Sequence, residues 1–506
     1  MLNLAMLLEL SSRRDPGKVA VIFDEMKLRY AELNGVANKI AHGLKELGVR
    51  PGDKVSILLP NTPHFVMCYY GILKAGATVV PLNVLFKQHE IEYHLKDSDS
   101  VALITWEGFL EEAAPGFQAV ESCRNMIVAQ APTSTNQLPD GAIALNAFLA
   151  DNPPVFDTVQ TMPDDTAVIL YTSGTTGRPK GAELSHLNMF FNAMVGADKV
   201  LQTRPEEIGL AVLPLFHSFG QSCVMNALLY AGGTMTLVPR FEPEKVLEVL
   251  QRDKVSYFAG VPTMYFYLLN FPGADKYDLS ALRSCCSGGS AMPVEVMHTF
   301  NKKYNVTILE GYGLSETSPV ASFNHLDREP KPGSIGTPIW GIEIRCVDAD
   351  GKDVPDGELG EIVIRGHNVM KGYYKRPEAT AESIRDGWFY TGDVAYRDED
   401  GFFFIKDRVK DMILRGGFNV YPREIEEVLY GHPAIAEAAV VGVEDPALGE
   451  EVKAVVAFKP DQTATEEDII AYCKEKLAAY KYPRQVAVME SLPKTATGKI
   501  LKRELR

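Results

Sequence analysis

Residues 166–186 read TAVILYTSGTTGRPKGAELSH. The segment opens on an apolar run, 167–170, that reads as a buried strand. Thr172, Ser173, Gly174, Thr175, Thr176 and Gly177 follow. Glycines permit tight curvature, and hydroxyls and bare N–H groups are donors, so such a loop can wrap phosphate oxygens. Arg178 and Lys180 add positive charge. Residues 182–184 suggest a second short strand, and a helix begins near Ser185. The expected arrangement is strand–loop–strand. A plain surface turn has the same composition, so the rest of the chain must decide between the two.

The spacing excludes a Walker A loop. Counted from Gly174, that motif needs Gly, Lys and Ser or Thr at 179–181. Pro179, Lys180 and Gly181 stand there. Pro179 has no N–H for phosphate, and Gly181 has no hydroxyl for magnesium.

A chain of 506 residues is too long for one ordinary core, so two or more domains are expected. Its 46% hydrophobic and 23% charged residues are those of a soluble globular protein. The net charge of −15 argues against general nucleic-acid binding. Seven cysteines, with Cys285 and Cys286 adjacent and no C-x-x-C, read as reduced thiols of a cytoplasmic protein. The N-terminal MLNLAMLLELSSRR has its arginines after the apolar stretch, the reverse of a signal peptide. It reads as a short amphipathic helix, which leaves peripheral membrane contact open. No apolar run approaches the ~20 residues that span a bilayer.

Strand and helix signals alternate over 17–160: strands at 19–23, 55–59 and 77–81, helices at 30–47 and 64–74. That rhythm predicts a largely parallel sheet covered by helices. His89 and His94 are five helical steps, about 140°, apart, so HEIEYH is an ordinary helix face rather than a zinc site. Residues 132–163 read as a surface connection.

Beyond the loop, a strand at 209–213 runs into PLFHSFG, where His217 is either a base or a satisfied polar group. A helix is expected over 222–230. SCCSGGS at 284–290 reads as a strand ending in a double-glycine turn, suited to a flat ligand or to a plain tight turn. In LEGYGLSET, 309–317, glycines flank Tyr312 and leave its ring free to stack on a purine. Glu316 is either a solvated turn residue or a hard oxygen for magnesium. Residues 340–406 shift to short alternating strands and carry WFYTGD, in which Asp393 follows a glycine. Residues 406–411, KDRVKD, hold five charges in six positions and read as a linker. A compact α/β unit fills 412–506. It ends in LPKTATGK, by composition a mobile basic tail.

These segments together resemble the adenylate-forming superfamily of acyl-CoA synthetases, luciferases and peptide-synthetase adenylation domains, in its order and over nearly the whole chain. YTSGTTGRPKG is similar to its phosphate-binding signature, YGLSET to its adenine and magnesium signature, TGD to its ribose signature and PKTATGK to its terminal lysine signature. The implied fold is α/β. A large N-terminal domain of helix-covered sheets with a β-rich closing subdomain (1–406) is joined by a hinge (407–411) to a small mobile C-terminal α/β domain (412–506).

The resemblance also implies roles. Thr172 to Gly177 and Lys180 would hold ATP phosphates. Gly288, Gly289 and Ser290 would border adenine, and Gly311, Tyr312 and Gly313 would frame it. Glu316 would hold Mg²⁺ and Thr317 would meet the α-phosphate. Asp393 and Arg408 would take the ribose, Lys410 would be the hinge residue, and Lys499 would be delivered by domain rotation. His217, Phe219, Val261, Gly288, Gly311, Pro319 and Val320 would wall the acyl pocket, His217 acting by position. Arg415, Gly416 and Gly417 would face the path of coenzyme A after rotation.

The implied enzyme is an AMP-forming acid:CoA ligase using ATP, Mg²⁺ and CoA. Catalysis would be mostly positioning and electrostatics, with no covalent nucleophile. The pocket walls are apolar or small, which suits a hydrophobic monocarboxylic acid, a medium- or long-chain fatty acid first and an aryl acid second. Leu414 stands where plant-type 4-coumarate ligases carry a lysine. Transfer to a carrier protein, a luciferase-like oxygenase and a dead nucleotide sensor are the competing readings. Residues 333–406 look too economical for the insertion of carrier-dependent enzymes. The intact Lys180, Glu316, Asp393, Arg408 and Lys499 weigh against a sensor.

Overall fold

A computed structural model describes residues 2–172, 178–408, 411–446 and 448–506. Four sheets organise it. The first has nine strands, and its interior is parallel: Ile308–Gly313, Ser284–Ser287, Tyr257–Gly260, Ile208–Ala211, Thr234–Leu237 and Val19–Phe23 lie side by side in that order. The second has eight strands, with Thr78–Pro81, Lys54–Leu58, Ser100–Trp106 and Asn125–Ala129 parallel at its centre. The parallel rhythm expected from the sequence is therefore split between two sheets.

Helices fill the space between them. Pro63–Lys74 is apolar almost all round, and every residue but His64 is buried, as a helix sandwiched on both faces requires. The helix Tyr30–Glu46 lies on it with Leu33, Ala37, Ile40, Ala41 and Leu44 inward. The two approach so closely that a Cβ on Gly71 would stand 2.5 Å from Ile40 Cγ2. Glycine is needed there for contact, not for a turn.

The third sheet is antiparallel: Ile342–Val347, Gly360–Gly366, Trp388–Arg397 and Phe403–Arg408 are its main strands. The fourth, from Phe418–Val420 and Ile413–Arg415 through Gly449–Phe458 to Ile435–Asp445 and Gln485–Val488, has its own core under the helices Pro422–Tyr430 and Glu466–Lys476.

Three expectations change. The helix expected over 222–230 starts earlier, as a wide π turn Gly220–Asn226 that tightens into Ala227–Ala231. The connection 132–163 is not all surface: Leu145–Ala150 is helical and Phe148 plugs the notch at Gly43. The terminal motif is not a loose tail. Lys494 and Ile500 pair across a bridge, and Thr495 N–H donates to Lys499 O at 2.8 Å, so Lys499 sits on a closed hairpin. The short N-terminal helix expected from the sequence is present as Met6–Arg14, with Leu7 and Leu8 buried against the body. No helix among the described residues is long and apolar enough to cross a membrane.

Candidate active site

The strands Thr166–Thr172 and Lys180–Ser185 form an antiparallel hairpin, with Thr172 opposite Lys180. The strand–loop–strand reading holds. Ser173, Gly174, Thr175, Thr176 and Gly177 lie outside the described residues, as does Lys410. Lys180 Nζ stands 5.0 Å from the ring centre of Tyr373. Tyr373 in turn donates its hydroxyl to Glu316 Oε1 at 2.9 Å. The ring thus joins a cation on one strand to a carboxylate on the short turn Ser315–Thr317. Nothing in the spacing of residues 371–376 pointed to Tyr373, because its partners lie 57 or more residues away in sequence.

Tyr312 and Asp393 meet from different sheets. The Tyr312 hydroxyl donates to Asp393 Oδ2 at 2.5 Å, and Arg408 Nε lies 2.9 Å from Asp393 Oδ1. Asp393 is only 3% exposed. Burial, then the neighbouring Asp393 charge, raise the Tyr312 phenol well above its ordinary value, so it remains a donor.

The turn between Tyr312 and Val320 is tightly built. A Cβ on Gly313 would fall 1.7 Å from Pro319 O. Thr317 is fully buried, and its hydroxyl accepts from Leu314 N–H at 2.9 Å and donates to Pro319 O. In this structure that hydroxyl serves the turn. Val320 is clamped by Asn192, which donates to its carbonyl at 2.8 Å and accepts from its N–H at 3.2 Å. Asn368 donates to the same carbonyl at 3.0 Å, and neither asparagine is legible in the sequence, since single asparagines carry no spacing signal.

The acyl-wall residues also converge. Gly288 is buried, and a Cβ there would touch the Phe219 ring at 3.3 Å and stand 3.6 Å from Gly311 O. Gly289, with φ +81°, and Ser290 are exposed beside it, and a Cβ on Gly289 would stand 3.6 Å from Val261 Cγ1. Gly311 leaves room for the Phe323 ring. His217 is half-buried, and its Nδ1 accepts the Phe219 N–H at 3.2 Å, so the neutral ring carries its proton on Nε2. Burial, and then the charge of Lys499, hold its pKa down to about 4.

The contact is direct at the hairpin. Thr263 hydroxyl donates to Gly498 O at 3.4 Å, and Gly498, at φ +82°, leaves space for Val261 Cγ2 only 3.0 Å from where a Cβ would be. A cleft between body and terminal unit is lined by Ser290, Ala291, Arg423, Glu427 and Lys499.

Arg415, Gly416 and Gly417 are elsewhere. Arg415 is committed to Glu451 through Nε–Oε1 at 2.5 Å and Nη2–Oε2 at 2.8 Å. Gly416 and Gly417, at φ +57° and +83°, make an exposed two-residue hairpin turn between Arg415 and Phe418. They do not line the cleft at Lys499 in this orientation.

Comparison with known proteins adds the family. Residues 8–374 match the model described as AMP-binding enzyme, and residues 424–499 match AMP-binding enzyme C-terminal domain. This chain belongs to the AMP-binding enzyme family. This AMP-binding enzyme is 39% identical to a long-chain-fatty-acid–CoA ligase of Bacillus subtilis (strain 168), over 98% of this chain and 92% of that protein. It is 37% identical to a feruloyl-CoA synthase of an Amycolatopsis species, over 98% and 96%. Its fold superposes on an anthranilate CoA ligase in complex with anthranoyl-AMP with a TM-score of 0.93, at 31% identity, over 99% of this chain and 96% of that one. The α/β architecture with a smaller terminal domain and the membership in the adenylate-forming superfamily, both expected from the sequence, agree with these matches. So does the expectation of an AMP-forming acyl-CoA synthetase.

Proposed function

We propose that this enzyme joins a hydrophobic monocarboxylic acid to coenzyme A through an acyl-adenylate, with a fatty acid of medium or long chain as the first choice and an aryl acid as the second. The observation that carries the reading is Lys499, a cation from the terminal unit that lines the cleft against the body beside Ser290 and Ala291, on a hairpin that Thr263 of the body binds at Gly498 O. A lysine placed there has one evident use, to meet negative charge growing between the two parts.

In the first step a carboxylate oxygen attacks the α-phosphorus of ATP. The bond to the β-phosphate bridge breaks and pyrophosphate leaves. Charge develops on phosphate oxygens, where Lys499, Lys180 and the loop 172–177 would stabilise it. Thr317 would reach the α-phosphate by turning its hydroxyl out of the turn it now serves. Asp393 and Arg408 would take the ribose, and Tyr312 the adenine face. His217, neutral, donates from Nε2 and orients rather than shuttles a proton.

Glu316 suits Mg²⁺, which favours one or two carboxylates together with substrate phosphates. Among the described residues no cluster of three or more His, Cys, Asp or Glu forms a closed metal cage, so such an ion would arrive largely through the nucleotide. When bound it would neutralise phosphate charge.

In the second step the CoA thiol attacks the acyl carbon, the bond from that carbon to the phosphate oxygen breaks, AMP leaves and the thiol proton is released. The division into 1–406, a hinge at 407–411 with Lys410 as its hinge residue, and 412–506 would let the terminal unit turn between steps. Rotation would withdraw Lys499 and could bring Gly416 and Gly417 to the pantetheine path.

AMP release over acids from acetate to palmitate, plus benzoate and 4-coumarate, with and without CoA, tests this. CoA-dependent turnover peaking on an alkyl acid is expected. An aromatic optimum moves the reading to aryl acids, and release indifferent to CoA refutes the ligase.

A further inference from the structure

Beside the Arg423 bonds to Asp407 and Ile405 and the Thr263 bond to Gly498, a buried carboxylate joins the terminal unit to the body. Tyr267 lies on the helix Pro262–Asn270 of the body and is 37% exposed. Its hydroxyl donates to Glu437 Oε1 at 2.6 Å. Glu437 sits on the strand Ile435–Asp445 of the terminal unit and is 3% exposed. The same oxygen accepts from Lys494 Nζ at 2.6 Å, and Oε2 accepts the Leu492 N–H at 3.1 Å. Leu492 and Lys494 are the root of the hairpin that carries Lys499. Lys494 also lies 5.6 Å from the centre of the Tyr267 ring.

The partition of these partners matters. Lys494 and Leu492 belong to the same unit as Glu437 and travel with it. Tyr267 belongs to the body. Were the unit to turn, Glu437 would lose one donor yet keep its cation and its backbone N–H, so no buried charge would be orphaned. The freed phenol, already part exposed, would be taken up by water. A bond with those properties is strong when made, because its acceptor is charged, and inexpensive to release.

We infer that Tyr267 is a positioning residue whose hydroxyl, on Glu437, latches the terminal unit in the orientation that presents Lys499. This rests on the two-step ligase reading above. The latch favours adenylate formation, and its release accompanies thioester formation. It acts on the balance between two orientations and touches no substrate.

Tyr267→Phe removes only the hydroxyl. ATP–pyrophosphate exchange is expected to fall about 10- to 100-fold, the range of one charge-assisted hydrogen bond. KM for ATP and acid should hold, and thioester formation from supplied acyl-AMP should be unchanged or faster. Glu437→Gln should slow exchange as well, and the double variant should be no worse than the stronger single one. Equal losses in both half-reactions would mark a merely structural tyrosine and overturn the latch, as would no loss in either.

A second measurement needs no turnover. All seven native cysteines are buried, so dyes can be attached to Asp275→Cys on the body and Lys474→Cys on the terminal unit, both exposed positions. Tyr267→Phe should shift the interdye distance distribution of the ligand-free protein, and an identical distribution overturns the proposal. A wild-type protein without pyrophosphate exchange on any acid would instead overturn the ligase reading, and the distance measurement would still judge the latch.

Discussion

Asp393 and Arg408 face each other across the strands Trp388–Arg397 and Phe403–Arg408, and their side chains close the pair with an Nε–Oδ1 distance of 2.9 Å. Arg408 is the last residue described before the link to the terminal unit. The Asp393 carboxylate, proposed for the ribose, is therefore held by the last described residue of the strand that precedes that unit. Tyr312 holds its other oxygen, so the carboxylate is oriented before any nucleotide arrives.

Asp393→Asn should keep the shape and lose the charge. One amide oxygen can still accept from Tyr312 or Arg408, but the bidentate acceptor is gone. KM for ATP should rise about 10- to 100-fold, the worth of a hydrogen bond to a charged group, with little change in KM for the acid. Steady-state kinetics with ATP and acid varied in turn will check it, and an unchanged KM for ATP refutes the ribose role.

Lys499→Ala should abolish adenylate formation yet spare thioester formation from supplied acyl-AMP. The lysine reaches the body on a closed hairpin whose hydrogen bonds are made by the backbone and Thr495. Removing its side chain leaves that hairpin standing. Half-reaction assays separate the steps, and equal loss of both would remove Lys499 from the first.

His217 should stay neutral over the working pH range. Its pKa is about 4 in the folded chain, through burial first and Lys499 second, against an ordinary 6.5. The unfolded chain therefore binds the proton between those values. The histidine's share of stability is complete above pH 6.5 and is lost as pH falls toward 4. Imidazole titration by NMR should show no proton uptake near 6.5. In Lys499→Met it should rise, though not to 6.5, since burial remains. A wild-type imidazole titrating at 6.5 would contradict this environment.

Arg415→Met should weaken the terminal unit more than the chemistry. Arg415 and Glu451 are 13% and 10% exposed and joined at two points. Removing Arg415 leaves Glu451 with the Val452 N–H alone at 2.8 Å, at a cost of about 1–2 kcal/mol. The terminal core should melt earlier in calorimetry. Because Arg415 is bound to Glu451 in this orientation, adenylation at low temperature should stay near normal, and a selective loss of adenylation would argue against the pairing.

The sequence alone determined the order of parts. The apolar spacing of Leu33, Ala37, Ile40, Ala41 and Leu44 is a local property of a helix, and each of them is buried as that spacing demands. The two strands flanking the loop followed from the apolar runs at 167–170 and 182–184, and Pro179 and Gly181 excluded a Walker A loop by their own chemistry. The motifs at 172–180 and 312–317, and those around 393 and 499, were legible because each is a short run of neighbours in sequence.

Only the tertiary structure decided what those runs meet. Tyr373 joins Lys180 to Glu316, Asn192 grips Val320, and Tyr267 binds Glu437, each across 57 or more residues. Such contacts depend on how strands are ordered in a sheet and how two units are set against each other, and chain periodicity carries no trace of either. The same holds for His217: its residue type allows a base, and burial beside Lys499 makes it a neutral donor. Burial and field are sums over the whole fold, so they exist only once the chain has closed.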